Sequence, residues 1–400
     1  MKMLIMNCGS SSIKCKLVVM PQYEVIASLS VSRLGMEDAH ISVSVQGLEN
    51  SSFIAPVFNH EEGIGRILGI LFDGDDKIID KTEIKAIGHR IVHGGEKMSK
   101  SVIVDQELID YLESISDLAP LHNPAHVAGI RACTKMLPDV LQVAAFDNGY
   151  HQSLKKQVYS YAIPYYYAEK YSIRKYGFHG IAFRSMTDEA KETLNSDLNG
   201  KKTVLLMLGS GTTANAAVDG ISYDVSTGFT PHEGLIQSTR SGDTDPAVYT
   251  YLMKKENLTP DEVDHIMNKE SGWYGMTGIS NDLRDVYMAA QNGDERALNA
   301  IESLCHRIKK YIGAYAAVMG GIDTLIFGGG VGEHAWYVRE KVCSNMEFLG
   351  IQIDAEKNRE LEGPGIISNG KMSVEILVTK VDEEKVISKD AYQVIKDCQK

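Results

Sequence analysis

No Cys-x-x-Cys pair occurs in this chain of 400 residues, whose six cysteines (Cys8, Cys15, Cys133, Cys305, Cys343, Cys398) are scattered. That spacing argues against a disulfide framework and for buried or free thiols in a reducing compartment. Positive charge is also scarce: 41 Lys and Arg against 53 Asp and Glu leave a net charge of -12. Such a field repels nucleic acid and anionic membrane, so any phosphate site has to be built locally. No apolar run approaches a membrane span, and the run from Met3 to Met6 is far too short for a signal peptide. A cytoplasmic protein is expected. Low-complexity tracts are missing, and so is the phosphate-loop sequence G-x-x-x-x-G-K-[ST].

What is present is a chain with 44% hydrophobic residues, too long for one compact core and suited to two domains. Apolar, β-branched segments such as Met3–Met6 and Thr203–Leu208 alternate with helical patterns such as Ala297–Met319, which argues α/β. The stretch from Asp188 to Lys202 reads as a helix ending at Gly200 before a strand. Two internal echoes stand out. "MLIMNCGSSSIKCKLVVM" (3–20) and "VLLMLGSGTTANAAVDG" (204–220) share a strand, a Gly-Ser/Thr turn and a second strand. "IKAIGHRIVHGG" (84–95) and "IDTLIFGGGVGE" (322–333) each run a strand into a glycine turn. The echoes point to two lobes made from one repeated unit.

Several segments carry chemistry. The turn after Asn7, with Ser10, Ser12 and then Lys14, offers N–H groups and hydroxyls that can cradle a phosphate, or can be an ordinary polar hairpin turn. Strand alternation sends Arg90 and Val92 to one face. The spaced pairs His89/His93 and His122/His126 lack the Glu of a helical zinc motif and read as structural histidines. The strand "VLQVAAF" delivers Asp147 at its C-terminal end, as a metal ligand or base or as a capping residue. "RKYGFHG" presents His179 between an aromatic residue and a glycine. The long irregular segment 228–246 contains Pro231 and Arg240, whose guanidinium fork suits a carboxylate or phosphate. Residues 323–342 read as strand, glycine turn (Gly328, Gly329, Gly330, Gly332), then helix, a nucleotide-binding arrangement. Within it Gly330-x-Gly332-x-x-Ala335 also satisfies a relaxed dinucleotide fingerprint, although too little chain follows to complete a doubly wound sheet.

The ordered blocks "NCGSSSIK", "GHRIVHGGEK", "LAPLHNPAH", "FDNGYHQ", "RKYGFHG", "GFTPHEGL", "TRSGDTDP", "SGWYGMTGISNDLRD", "GGGVGE" and "DEE" together resemble the acetate kinase family of the acetate and sugar kinase, Hsp70 and actin superfamily. The resemblance implies a two-lobed, duplicated actin-like (ribonuclease H-like) α/β fold with an interlobe cleft. It implies lobes at 1–148 plus 384–400 and at 149–383, the latter with the nucleotide site and the interface of a homodimer. It further implies reversible phosphoryl transfer from ATP to acetate, giving acetyl phosphate and ADP, with Mg²⁺ that Mn²⁺ can replace; the alternatives are a propionate or other short-chain acyl kinase, or the same chemistry with a non-ATP phosphoryl donor.

By the same resemblance, Arg90 and Arg240 hold the carboxylate and the moving phosphoryl group, His179 hydrogen-bonds the latter, and Asp147 and Glu383, with Asn7, organise the metal. Val92, Leu121, Phe178 and Pro231 match the pocket for the acyl methyl. Asn7, Ser10, Ser12, Lys14, Met207, Gly209, Ser210, Gly211, Asp282, Arg284 and the turn of Gly328, Gly329, Gly330, Val331, Gly332 and Glu333 match the donor site. Three departures are visible. Met207–Gly211 replaces the usual His-Leu-Gly-Asn-Gly, Asn148-Gly149-Tyr150 replaces Thr-Ala-Phe, and Ala182-Phe183 replaces Ser-His.

Overall fold

The computed structural model describes residues 1–9, 11–120 and 122–398. Contacts divide the chain into two units, Met1–Tyr150 with Asp382–Lys400 and His151–Val381. Among the described residues no helix is long and apolar enough to cross a membrane.

The first unit is built on β1 (Lys2–Cys8), β2 (Ser12–Val19), β3 (Glu24–Ser32), β4 (Met36–Val45), β5 (Ser51–Val57), β6 (Ile84–Ile91), β7 (Val102–Ile103) and β8 (Leu141–Phe146). They form one sheet in the order β5-β4-β3-β2-β1-β6-β8-β7. The second unit has β9 (Lys202–Leu208), β10 (Thr212–Val218), β11 (Ile221–Val225), β12 (Thr324–Gly328), β13 (Gly365–Ile366) and β14 (Glu375–Val378), in the order β11-β10-β9-β12-β14-β13.

The two sheets share a core plan. In each, three antiparallel strands lead off (β1–β3, β9–β11), and two further strands lie parallel to the first (β6 and β8, β12 and β14). The echo between segments 3–20 and 204–220 is therefore structural: both are the opening hairpin. The second echo places β6 and β12 at equivalent positions beside those hairpins.

Parallel pairing needs helical crossovers, and buried strands of this kind read as near-continuous apolar runs, as β1 and β9 do. The helix Glu295–Met319 leads back to β12. It buries Ala297, Ala300, Ile301, Leu304, Ile308, Ile312 and Tyr315, a three- and four-residue spacing that forms one apolar face. Asp294 caps its first turn by accepting from the Ala297 N–H, and Gly320 ends it at φ +71°. The last helix, Glu383–Cys398, packs on β6 and β8 of the first unit. Gly88 permits that approach, because a Cβ there would lie 2.9 Å from Ile387 Cγ2 and 3.1 Å from Ile5 Cδ1. No disulfide forms, and five of the six free thiols are buried.

Two local expectations need correction. The helix expected to run to Gly200 ends at Leu194, because Asn195 adopts the left-handed conformation (φ 48°) and its N–H closes back on Glu192 and Lys191 carbonyls. The glycine turn after β12 is itself a short helix, Gly329–His334, followed by a second from Trp336 to Cys343.

Candidate active site

In the first unit, three adjacent parallel strands end together. Met6 of β1 pairs with His89 of β6, and Arg90 with Ala145 of β8, so Asn7, Arg90 and Asp147 emerge at one C-terminal edge, where α/β sheets place ligands. The Arg90 guanidinium donates to Asp147 through Nη2 (2.8 Å) and Nε (3.2 Å), and its Nη1 lies 3.1 Å from Glu383 Oε2. Burial opposes the Arg90 charge, but Asp147 and Glu383 outweigh it and hold the guanidinium protonated. Burial, and then the neighbouring Asp147 and Glu384 carboxylates, push Glu383 above the usual carboxylate range against the pull of Arg90. Glu383 is fixed from both sides: Lys16 pairs with Asp382 and Glu384, and Tyr23 donates to Asp382.

The hairpin turn is closed by Gly9 N–H donating to Ser12, and the Gly9 carbonyl accepts from His60 Nε2. Lys14 is exposed opposite Asn7 in the hairpin, and lines a cavity of about 480 Å³ with Glu384. Ser10 and Leu121 lie outside the described residues. Val92 sits one residue past the end of β6 and is buried. His89 and His126 prove structural, as their spacing suggested: His89 bonds Gln142 Oε1 at 2.7 Å, and His126 Nε2 accepts from the Val92 N–H.

In the second unit, His179 stands at the N-terminus of the helix Gly180–Leu194 with φ 59°, and its Nδ1 is 2.9 Å from Thr213 Oγ1. Its ring rests against Gly211, where a Cβ would lie 3.0 Å from Cε1 and 3.3 Å from Nε2. The preceding Phe178 is buried and braced, its N–H on Thr227 Oγ1 and its carbonyl on His151 Nε2. Phe183, one of the departures, meets the His151 ring edge-on.

Arg240 is half-buried in the segment between β11 and the helix Pro246–Glu256, which has no regular structure. Its Nη1 donates to Gln237 Oε1 at 3.2 Å, and its buried Nε has no acceptor. Burial lowers its pKa and Asp264 opposes this, yet among the described residues no carboxylate forms an ion pair with it. Gln237 is itself buried and donates from Nε2 to the Pro231 carbonyl (2.7 Å), so one amide links Arg240 to Pro231. Nothing in the sequence singles out Gln237, because a glutamine in an irregular segment has no pattern to betray it.

A cavity of about 500 Å³ gathers six of the expected donor-site residues: Gly209, Ser210, Asp282, Arg284, Gly330 and Val331. Trp273, His334 and Tyr337 line it too, without having been anticipated. Tyr337 stacks on Tyr287, with ring centroids 3.6 Å apart. Asp282 caps the helix Leu283–Gln291 and pairs with Arg284, whose hydrogen bonds hold it down at about 2.

Gly328, Gly329 and Gly332 are buried behind this wall. At Gly329 (φ +74°) a Cβ would lie 2.6 Å from Met207 Sδ and 2.7 Å from the Leu208 carbonyl, so the thioether that replaces the usual imidazole packs against the glycine turn. Glu333 Oε1 accepts from Val381 N–H, and the buried Arg339 donates to the Gly332 and Glu333 carbonyls. Arg339 thus braces the turn, another role the sequence does not announce.

Comparison with known proteins shows the family. The profile of the Acetokinase family matches residues 2–389. The chain is 44% identical over 396 residues to the acetate kinase of Carboxydothermus hydrogenoformans, covering 99% of each. It is 44% identical to that of Thermotoga maritima over 399 residues, covering 99% of each. Among solved structures, the acetate kinase of Porphyromonas gingivalis superposes with a TM-score of 0.93 at 42% identity, covering 98% of this chain and 99% of that one. A propionate kinase from Francisella tularensis gives 0.91 at 33% identity, covering 98% and 99%. These full-length matches establish that the chain belongs to the acetokinase family.

Proposed function

We propose that this protein transfers the γ-phosphoryl group of ATP to acetate, reversibly, giving acetyl phosphate and ADP. The observation that carries the reading is Arg240, a half-buried guanidinium that among the described residues has no ion-paired carboxylate and whose Nε has no acceptor. An unneutralised cation held in that way is a site for an anion.

Acetate is ionised at neutral pH, so its oxygen attacks phosphorus without a general base. The barrier lies in bringing two anions together while charge spreads over the phosphoryl oxygens. Arg90 and Arg240 orient the carboxylate and neutralise that charge. His179, its ring held by Thr213, hydrogen-bonds the moving phosphoryl group from the Gly209–Gly211 turn. Val92, Phe178 and Pro231 recognise the acyl methyl, and the cavity at Asp282 and Gly330 takes the nucleoside.

Asp147 and Glu383 are hard oxygen donors of the kind Mg²⁺ prefers. Among the described residues no group of three or more His, Cys, Asp or Glu could hold a metal. Such an ion would arrive with nucleotide oxygens and take two carboxylates, Asp147 and Glu383, from the protein. When bound, Mg²⁺ supplies charge neutralisation at the phosphates. We also place the protein in the cytoplasm as a homodimer, on its membership of the acetokinase family.

The test is a hydroxamate trap for acyl phosphate, run with ATP, GTP and pyrophosphate as donors and with acetate, propionate and butyrate as acceptors. The reading expects acetyl hydroxamate from ATP and acetate as the leading product. No trapped product with any pair would overturn it.

A further inference from the structure

The β6 ladder runs out at Ile91, whose partner is Phe146, the last residue of β8. The next four residues, from Val92 to Gly95, remain buried, so their backbone groups need partners from elsewhere. Side chains supply them. The Val92 N–H donates to His126 Nε2 (3.3 Å), and Asn123 Nδ2 donates to the His93 carbonyl (3.0 Å). Tyr111 donates to the Gly94 carbonyl (3.2 Å).

Asn148 makes the two shortest of these bonds. Its Oδ1 accepts from the Gly94 N–H at 2.8 Å and its Nδ2 donates to the Gly95 carbonyl at 2.8 Å. One carboxamide therefore takes a donor and an acceptor of the backbone, as a neighbouring strand would. It is fully buried and directly follows Asp147, the carboxylate that faces Arg90. The same residue thus ties the charged cluster to the segment that carries Val92. A hydroxyl offers one polar atom, where Asn148 meets the two backbone groups with two.

We propose that Asn148 is a positioning residue that sets acyl-chain selectivity by fixing the segment from Val92 to Gly95. The proposal rests on the reading of Val92 as a wall of the acyl pocket. Loosening the segment lets Val92 retreat, which admits the extra methylene of propionate and weakens the hold on acetate. Donor binding, at Asp282 and Gly330 of the other unit, stays as it was.

The experiment compares wild type with Asn148→Ala, Asn148→Asp, Asn148→Thr, Tyr111→Phe and Val92→Ala. For each, kcat and KM are measured with acetate, propionate and ATP, together with the thermal midpoint. Asn148→Ala should lower the acetate-to-propionate ratio of kcat/KM by about threefold or more, chiefly through the carboxylate KM, with the ATP KM within about twofold. Asn148→Thr, which keeps one polar partner, should fall between Ala and wild type, whereas Asn148→Asp sets a buried carboxylate against the Gly95 carbonyl and should shift the ratio at least as far as Ala. Tyr111→Phe should move the ratio the same way by less.

If Asn148→Ala does not fold, Asn148→Thr and Tyr111→Phe decide. A ratio unchanged in these folded variants, while Val92→Ala shifts it, overturns the role of Asn148. A ratio unchanged in Val92→Ala removes the acyl-pocket reading itself, and this proposal with it.

Discussion

Replacing Arg240 with methionine should damage catalysis while sparing, or raising, stability. The guanidinium makes one hydrogen bond, to Gln237, and leaves Nε buried without an acceptor. Removing that orphaned donor relieves roughly 1–3 kcal/mol, whereas losing the bond and stranding Gln237 Oε1 costs about 1 kcal/mol or slightly more. The net lies between neutral and about 2 kcal/mol stabilising. In a unit of this size each 1 kcal/mol moves the midpoint by about 2–4 °C. Loss of a preorganised cation at a transferring phosphoryl group costs about 3–4 kcal/mol of transition-state stabilisation, or roughly 10²–10³ in kcat. Calorimetry and the hydroxamate assay on the same preparation read both quantities. A midpoint lowered by more than about 5 °C, with activity within about tenfold of wild type, would show that Arg240 is a structural residue and refute the reasoning.

Three further outcomes follow from the same contacts. Gln237→Glu places a carboxylate against Arg240 and should lower kcat/KM for acetate about tenfold or more, beyond the loss in Gln237→Met; equal activity in the Glu variant and wild type would contradict this. Burial lowers His89 and His93 to about 4 and His126 further, so below their unfolded value near 6.5 the unfolded state takes up protons that the folded state refuses, and stability falls with falling pH. Glu383, pushed up by burial, takes a folded-state proton in that range and offsets about one of the three, leaving a loss of about 2 kcal/mol between pH 6 and pH 5; a urea midpoint for the first unit that is equal or higher at pH 5 would refute it. Met207→His with Ser210→Asn should lower the KM for ATP by about threefold and leave that for acetate unchanged; a lowered acetate KM instead would place these residues at the wrong substrate.

The site was legible in the sequence where local pattern fixes position. The apolar run before Asp147 could only be a strand, and a strand end is where the carboxylate emerges. The hairpins at 3–20 and 204–220 announced themselves by a shared turn, and they open the two sheets. What stayed hidden depends on partners distant in the chain. The Glu383–Arg90 contact spans 293 positions although each residue is named by the family resemblance, Asn148 braces residues 53 and 54 positions away, and Arg339 supports the glycine turn from inside an ordinary helix. The helix after His179 was overextended because Asn195 ends it in the left-handed conformation, a choice less marked in sequence than the glycine at position 200.

The central claim is direct attack of the carboxylate on phosphorus between cationic clamps, with no phosphorylated side chain on the way. The stereochemical course at a chiral [¹⁶O,¹⁷O,¹⁸O] γ-phosphoryl group of ATP tests it most directly. A single in-line transfer predicts acetyl phosphate with inverted configuration at phosphorus. Retention would require two displacements through the protein and would contradict the account.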